Sequence, residues 1–124
     1  MNNKSLIVAA VFAIGLSSSG CATPERFHWG AYEQALYVYA KKPDQGPAYE
    51  KALTRAIETG RRSKRIAPGL LAELGYMRLE QGDFSKAVSL FEEEITLFPE
   101  SKFFLSNVVV RAKARAAQPA SVTQ

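Results

Sequence analysis

The stretch "PGLLAELGYMRLEQGDFSKAVSLFEEEITLFP", residues 68–99, decides the fold of this chain. On both sides of "QGD" the apolar residues recur at the three- and four-residue spacing of an amphipathic helix. Pro68 suits a first helical turn, Gly82 suits a helix end, and Pro99 blocks continuation. The stretch therefore predicts two helices joined as a hairpin, with the Asp83 side chain bonding the backbone amides that follow the turn.

The same signals divide the rest of the chain into three further helices, which are "WGAYEQALYVYAKK" (29–42), "PAYEKALTRAIETGRRSKR" (47–65) and "ESKFFLSNVVVRAKARA" (100–116). The segment "NVVV" favours a strand, but helix-forming neighbours flank it, so we interpret it as the buried stripe of the last helix. We predict an all-α domain over residues 30–116 and a polar tail over residues 117–124.

The helices also contain an internal repeat. Tyr49 and Phe84 lie 35 residues apart, and the same interval separates Leu36 from Leu71. The second copy resembles the tetratricopeptide pattern, which is a stack of helical hairpins. The residues that carry this resemblance are Leu71, Leu74, Gly75, Gly82, Asp83, Phe84, Ala87, Phe91 and Pro99.

The resemblance implies two tetratricopeptide-like (TPR-like) hairpins and a C-terminal capping helix, because repeat units cannot cover their own apolar ends. Gly75 and Ala87 are expected to let the two helices approach closely. Arg78 and Glu94 stand where the pattern usually has Tyr and Ala. We therefore expect looser or wetter packing near the open end of this hairpin.

The N-terminus has the composition of an export signal. The short positive start "MNNK" precedes "SLIVAAVFAIGL", an apolar run that spans roughly 18 Å as a helix and is too short for a hydrocarbon layer of roughly 30 Å. It predicts a cleaved signal peptide over residues 1–20. Gly20 before Cys21, the single cysteine of the chain, resembles the lipobox of bacterial lipoproteins. The alternative is a free thiol after an ordinary secretory cleavage site.

The lipobox resemblance implies that acylated Cys21 anchors the protein to a membrane, with residues 21–29 as the lipidated N-terminus and tether. Ala22 follows the cysteine, where Asp would signal retention at the inner membrane of enteric bacteria. By this resemblance the expected location is the outer membrane, lipid-anchored, on its periplasmic face.

A second resemblance covers residues 27–104. The runs Trp29-Gly30-x-Tyr32-Glu33 and Leu36-Tyr37-x-Tyr39 are similar to those of small bacterial lipoproteins of unknown function that carry a TPR-like domain. Members of that family are often encoded beside a curli-secretion-pore-like (CsgG-like) lipoprotein. The resemblance implies a part in an envelope assembly, with other envelope proteins as partners, and it implies no reaction.

In TPR arrays the first helix of each hairpin lines the concave face. Helical spacing places on that face a candidate partner-binding groove, with Tyr37, Tyr76 and Phe103 as its aromatic anchors. Its members are Gln34, Tyr37, Lys41, Ala72, Tyr76, Leu79 and Phe103. The alternative is that these aromatic side chains pack the core between short helices.

Catalytic motifs are absent from the sequence. The chain has one His and one Cys, and it has no zinc-protease, nucleophile-elbow or phosphate-cradling pattern. We interpret His28 as a surface or packing residue, since a metal site or general base needs partners. We expect no enzyme activity, no cofactor, no metal and no small-molecule substrate. The net charge of +4 is too small and scattered to indicate nucleic acid.

Two charged runs remain. The run Glu92, Glu93 and Glu94 covers about 200° of helical arc, which predicts a solvated face. The basic run "RRSKR" at residues 61–65 ends the second helix, where positive charge complements the helix dipole. The alternative for the basic run is contact with anionic headgroups or an acidic partner.

These patterns predict a lipid-anchored protein-interaction module without enzymatic activity. One alternative is a self-associating structural subunit, in which the first helix packs against copies or neighbouring lipoproteins through Trp29, Tyr32, Leu36 and Tyr39. A remoter alternative is an envelope enzyme, which would need a cleft that holds two carboxylates.

Overall fold

The computed structural model describes residues 25–118, and within them the chain is all-helical apart from one isolated bridge. The helices are α1 (Tyr32–Lys41), α2 (Gly46–Ser63), α3 (Leu70–Glu80), α4 (Phe84–Leu97) and α5 (Lys102–Ala116). One 3-10 turn (Pro43–Gln45) precedes α2, and another (Pro99–Ser101) precedes α5. The all-α prediction is confirmed. The predicted signal peptide, Cys21 and most of the polar tail lie outside the described residues.

The helix ends follow the turn chemistry of the sequence. The carboxylate of Asp83 accepts a hydrogen bond from the backbone N–H of Lys86 at 3.1 Å, which confirms the predicted cap of α4. Lys64 ends α2 in the left-handed conformation, with φ of 55°. α3 begins at Leu70, two residues after the predicted start at Pro68, because Gly69 has a φ of +92°, outside the helical region.

Each helix packs against the next one along the chain, from α1 on α2 to α4 on α5. Two clusters form the core. The larger joins α2 to α3 and comprises Tyr49, Leu53, Ala56, Ile57, Ile66, Ala67, Leu70, Leu71, Leu74 and Leu90. The smaller joins α4 to α5 and comprises Ala87, Phe91, Leu105 and Val109. Most contacts between helices therefore lie between neighbours in the chain.

The tightest contact lies between α3 and α4. A Cβ atom added to Gly75 would lie 2.6 Å from Cε1 of Phe91, well inside van der Waals contact. Phe91 and Ala87 are both fully buried at this contact. The expectation that Gly75 lets the two helices approach closely is confirmed, because no larger side chain fits there without displacing Phe91.

The prediction of a solvated face is wrong for Glu94, which is only 1% exposed. Its Oε1 atom accepts hydrogen bonds from the backbone N–H of Gly69 at 2.7 Å and from the hydroxyl of Ser101 at 3.3 Å. The side chain thus holds the start of α3 and the turn before α5. These donors offset only part of the cost of burying the carboxylate, because they satisfy Oε1, whereas the buried Oε2 atom has no hydrogen-bond partner within residues 25–118.

The neighbouring glutamates contact different helices. Glu92 pairs with Lys113 of α5 at 2.6 Å, and Glu93 pairs with Arg61 of α2 through two hydrogen bonds of 2.9 and 2.5 Å. The interaction with Glu93 raises the pKa of Arg61 above its ordinary value. Consecutive residues point in different directions around a helix, so this run joins α4 to two neighbours.

Arg78, the other departure from the pattern, contacts Glu50 of α2. One of its terminal nitrogens lies 2.6 Å from the Glu50 carboxylate, and the other donates to Gln81 at 2.5 Å. Gln81 also donates to Glu50, at 2.7 Å. A half-buried polar network therefore occupies the end of α3, where we expected looser or wetter packing.

The packed part of the chain begins before residue 30. The backbone N–H of His28 donates to the carbonyl of Arg65 at 2.8 Å, which forms the bridge with the loop between α2 and α3. Phe27 and Trp29 pack on the larger core cluster, so the last three residues of the predicted tether, 27–29, pack with the domain. His28 itself is half-buried at this junction. Within residues 25–118, none of the helices combines the length and apolar composition that crossing a membrane would require.

Candidate functional site

Two pockets between α3 and α5 meet at Tyr76, and we call the two together the α3–α5 cleft. One half has a volume of about 330 Å³ and is lined by Tyr76, Leu79, Phe84, Val108, Arg111, Ala112 and Arg115. The other half, of about 430 Å³, is lined by Pro68, Gly69, Ala72, Tyr76, Glu94, Glu100, Ser101, Phe104 and Leu105. It is a mostly apolar concave surface with charged groups at its rim, which is the composition of a binding site.

Tyr76 lies at the centre of this cleft, because it lines both halves. Its side chain is 45% exposed, and its ring meets the ring of Phe91 edge-on, with 5.1 Å between centroids. The buried Phe91 thus holds an exposed aromatic ring in place. A fixed aromatic side chain with free surface is the usual anchor of a protein interface.

The two halves of the cleft carry opposite charge. Arg111 and Arg115 line the half near the end of α5, and the guanidinium of Arg115 lies 5.6 Å from the ring centroid of Phe84. Glu100 and the buried Glu94 line the other half. The cleft therefore distinguishes the two directions in which a charged segment could lie in it.

The residues of the predicted groove do not all come together. Ala72, Tyr76 and Leu79 line the α3–α5 cleft, whereas Gln34, Tyr37 and Lys41 lie on α1 and line neither half. Tyr37 is 58% exposed, and the ammonium of Lys41 lies 4.9 Å from its ring centroid. Tyr37 and Lys41 thus form an exposed pair on α1, separate from the cleft.

On α5 the register differs from the prediction by one residue. Phe103 is 86% exposed and lines neither half of the cleft, whereas Phe104 lines it. Leu105 and Val109 face the core, so a rotation of 100° per residue turns Phe104 towards α3 and Phe103 away from it. The two rings meet edge-on, with 5.1 Å between their centroids.

Sequence reasoning missed Phe84, Phe104, Val108, Arg111 and Arg115 as lining residues. Four of them recur on α5 at intervals of three and four residues, beside the buried Leu105, Val109 and Ala112. The helical periodicity that placed Leu105 in the core could also have identified these lining residues. It defines the buried stripe of α5 and, with it, the stripe that lies next to it.

Sequence reasoning also missed a polar cluster between the first two helices and α3. The hydroxyls of Tyr32 and Tyr49 both donate to the carboxylate of Glu73, the first at 2.7 Å. Burial, followed by the hydrogen bond to the Glu73 carboxylate, raises the pKa of Tyr32 to about 12 and raises that of Tyr49 as well. One carboxylate thus joins both helices of the first hairpin to the second.

Residues 25–118 contain no group of three or more His, Cys, Asp or Glu side chains that could hold a metal ion. The cluster around Glu73 supplies one carboxylate and two protonated phenols, which fits a structural link between helices.

Together, the helices and the cleft define an all-α domain that presents an aromatic concave surface. A family profile described as "Domain of unknown function (DUF4810)" matches residues 27–108. The chain belongs to this family. Its first matched residue, Phe27, is also where the packed domain begins. A search of curated proteins and a search of solved structures each gave no significant match.

Proposed function

We propose that this protein is a lipid-anchored docking module of the bacterial envelope, without enzymatic activity, whose TPR-like helices hold the α3–α5 cleft against another envelope protein. The observation that carries the proposal is the position of Tyr76. Its ring is backed by buried Phe91, lines both halves of the cleft and keeps nearly half of its surface exposed. An aromatic side chain in that setting is a typical binding anchor.

The TPR-like part of the proposal is supported by packing between neighbours in the chain and by the contact of Gly75 with Phe91. It is also supported by α5, which buries Leu105 and Val109 against α4 at the spacing by which α3 buries Leu71 and Gly75. In this proposal α1 to α4 form two hairpins and α5 is the C-terminal cap.

The anchor in this proposal is an acylated Cys21, which becomes the first residue after removal of the signal peptide. Phe27 packs on the core, so only a few residues separate the cysteine from the domain. The tether would therefore keep the domain close to the periplasmic face of the outer membrane. The partner would be another envelope protein, of which a curli-secretion-pore-like lipoprotein is one example.

The chemistry of the cleft restricts the partner. A segment with one or two apolar side chains beside Tyr76 would bury them against Leu79 and Val108. An acidic group on that segment would meet Arg111 and Arg115, which line one half of the cleft.

The self-association alternative is less favoured on the surface that the sequence indicated. Trp29, Tyr32, Leu36 and Tyr39 are half-buried and pack on the protein's own core, which leaves less of their surface for contact with copies. The exposed apolar residues of α5, Phe103 and Val110, favour this alternative instead, at 86% and 66% exposure. Light scattering of the unacylated domain separates the two, because the docking proposal predicts a monomer.

Site-specific photocrosslinking in intact cells tests the docking proposal. A photoreactive side chain replaces Arg111 in the cleft, and in a matched chain it replaces Glu58, an exposed residue of α2 that lines neither half. We expect a discrete protein adduct from position 111 and none from position 58. Equal adducts from both positions, or none from either, would count against the cleft as the docking site.

The anchor is tested separately by the intact mass of the protein extracted from membranes. We expect a mature chain that starts at Cys21 and carries the added mass of acyl chains, and a Cys21→Ser chain that carries none. A mature chain with a free thiol would remove the anchor from the proposal and leave the cleft untouched.

A further inference from the structure

Four exposed cations are close in the chain to the bridge where the entering segment joins the domain, and the exposed Glu25 precedes the first of them. The backbone of His28 pairs with Arg65, so the entering segment lies directly beside the loop that follows α2. Arg26 is two residues before this bridge, and Arg62, Lys64 and Arg65 are exposed around it. We call these four residues the basic entry face.

Within residues 25–118, none of these four cations forms an ion pair with a carboxylate. In the described part of the chain the ion pairs are Arg61 with Glu93, Arg78 with Glu50 and Lys113 with Glu92. Arg61 therefore does not belong to the face, although it lies in the same basic run. Arg62 donates to the hydroxyl of Thr59 at 3.0 Å, which leaves its charge in place.

An apolar surface adjoins the face. Lys64 lines a cleft of about 470 Å³ together with Ile66, Leu97 and Phe98, and the ion pair of Arg61 with Glu93 lines it as well. Leu97 is 47% exposed there, at the end of α4. Cations beside exposed apolar side chains are typical of proteins that lie on an anionic membrane surface.

The distance to the predicted anchor is short. Five residues lead from Cys21 to Arg26, and a fully extended chain spans at most about 3.5 Å per residue, or roughly 18 Å in all. Several acyl chains at Cys21 would hold that end at the bilayer. Because the Debye length is about 8 Å at physiological salt, a modest approach of the domain brings the face into the field of the headgroups.

We propose that the basic entry face binds the anionic phosphate headgroups of the membrane to which the tether holds the domain. This inference rests on the proposed membrane anchor and assigns the surface that faces the bilayer. It leaves the α3–α5 cleft for the protein partner. Each basic side chain near an anionic surface raises the association constant by about fivefold, so four together give weak binding that the tether makes effective.

Vesicle sedimentation tests the inference with the chain from residue 21 onward, which keeps every described residue and carries Cys21→Ser, so that no acyl chain contributes. We expect binding to phosphatidylcholine vesicles that contain about 30% phosphatidylglycerol, and little binding to phosphatidylcholine alone. The binding should fall steeply when the ionic strength rises from about 0.1 M to about 1 M, because the Debye length shrinks to about 3 Å.

Two triple variants with the same change in net charge provide the decisive comparison. Arg62→Gln with Lys64→Gln and Arg65→Gln should lower the association constant by about 100-fold, at about fivefold for each cation. The backbone bond from His28 to Arg65 survives this change, because it uses the carbonyl of residue 65. The control removes three exposed cations elsewhere, as Lys42→Gln with Lys86→Gln and Lys102→Gln, and it should stay within about twofold of the parent chain.

Equal losses in both variants would mean that net charge alone drives binding, and a larger loss in the control variant would place the membrane contact on another surface. Either result overturns the inference, as does undiminished binding of the Arg62, Lys64 and Arg65 variant. The circular dichroism spectrum of each variant shows whether it is folded. As a further check, Arg26→Gln changes no helical residue, and it alone should lower the association constant by about fivefold. Because the experiment uses unacylated chain, its failure is distinct from failure of the anchor, which the intact mass measures.

Discussion

The two hairpins of this protein are held by different interactions. In the first, α1 meets α2 through aromatic rings, with Tyr39 stacked on Tyr49 at a centroid distance of 5.0 Å, and the Tyr49 hydroxyl donates to Glu73 of α3. In the second, α3 packs closely on α4 because Gly75 has no side chain, and the ring of Phe91 occupies the space that a Cβ atom would take. Only the second hairpin follows the repeat pattern closely.

The difference explains why the second hairpin is the easier one to recognise in the sequence. A glycine inside an apolar helical stretch costs helix stability, so its presence indicates a close contact. Tyrosine and glutamate are common on helix surfaces, and their spacing in the sequence does not indicate that Tyr32 and Tyr49 donate hydrogen bonds to Glu73. Polar links between distant residues are therefore found only when the helices are in place.

The largest expected effect is on the close contact of the second hairpin. Gly75→Leu should lower the free energy of unfolding by about 3 kcal/mol or more, because the side chain must displace Phe91 from a fully packed position. Urea unfolding followed by circular dichroism measures the change. Ser89→Leu, on the exposed face of α4, should remain within about 0.5 kcal/mol. A Gly75→Leu chain as stable as this control would show that the two helices are not in tight contact.

The next effect concerns the buried carboxylate of the second hairpin. Glu94→Ala should cost about 1 to 3 kcal/mol, because the N–H of Gly69 and the hydroxyl of Ser101 lose their acceptor. Glu94→Gln keeps an oxygen in the same place and should cost less than about 1 kcal/mol. Equilibrium unfolding of both variants separates the hydrogen bond from the charge, and equal costs would argue against the acceptor role.

In the first hairpin, Tyr49→Phe should cost about 1 to 2 kcal/mol, because it removes one of the two donors to Glu73. The exposed Tyr37 provides a matched control, and Tyr37→Phe should leave the free energy of unfolding unchanged within error. If both substitutions had the same effect, the Glu73 link would contribute nothing to the first hairpin.

The same cluster predicts a pH dependence. Burial and Glu73 raise the pKa of Tyr32 from 10.0 to about 12, so between these values the unfolded chain has lost a proton that the folded chain retains. The contribution of Tyr32 to the free energy of unfolding should therefore be constant below pH 10 and fall as the pH rises towards about 12. Between pH 10 and about 12, the free energy of unfolding should fall less steeply with pH for Tyr32→Phe than for the parent chain. Identical slopes would contradict the shift.

The smallest effect is expected for the link between the two hairpins on the surface. Arg61 and Glu93 form a bidentate pair, but their side chains are 44% and 33% exposed. Because solvent screens such pairs, Glu93→Gln should cost no more than about 1 kcal/mol in the same unfolding assay. A loss well above this would mean that the pair carries more of the contact between α2 and α4 than its exposure indicates.

The fold was largely predictable, and the binding surface only in part. Pro68, Gly82, Asp83 and Pro99 fixed the turns, and helical periodicity then fixed the buried faces. The α3 side of the cleft followed from that register. The α5 side did not. The choice between Phe103 and Phe104 depends on how Leu105 and Val109 pack against α4. Sequence spacing alone does not determine the rotation of α5 about its axis to better than about 100°.

Glu94 was assigned to solvent for a related reason. Its neighbours Glu92 and Glu93 are accessible, and the donors that allow its burial lie at Gly69 and Ser101, 25 and 7 residues away in the sequence. Composition predicts the cost of burying a carboxylate, but only the tertiary structure supplies the groups that offset it.

The central claim is that Tyr76 serves binding while Gly75, the residue before it, serves the fold. Its most direct test measures two quantities in Tyr76→Ala, which are the free energy of unfolding and the yield of the in-cell adduct from a photoreactive side chain at position 111. We expect the unfolding free energy to fall by no more than about 1 kcal/mol, since the side chain is nearly half exposed, while the adduct yield falls at least severalfold. A Tyr76→Ala chain that loses stability as Gly75→Leu does, or that crosslinks as well as its parent, would contradict the account.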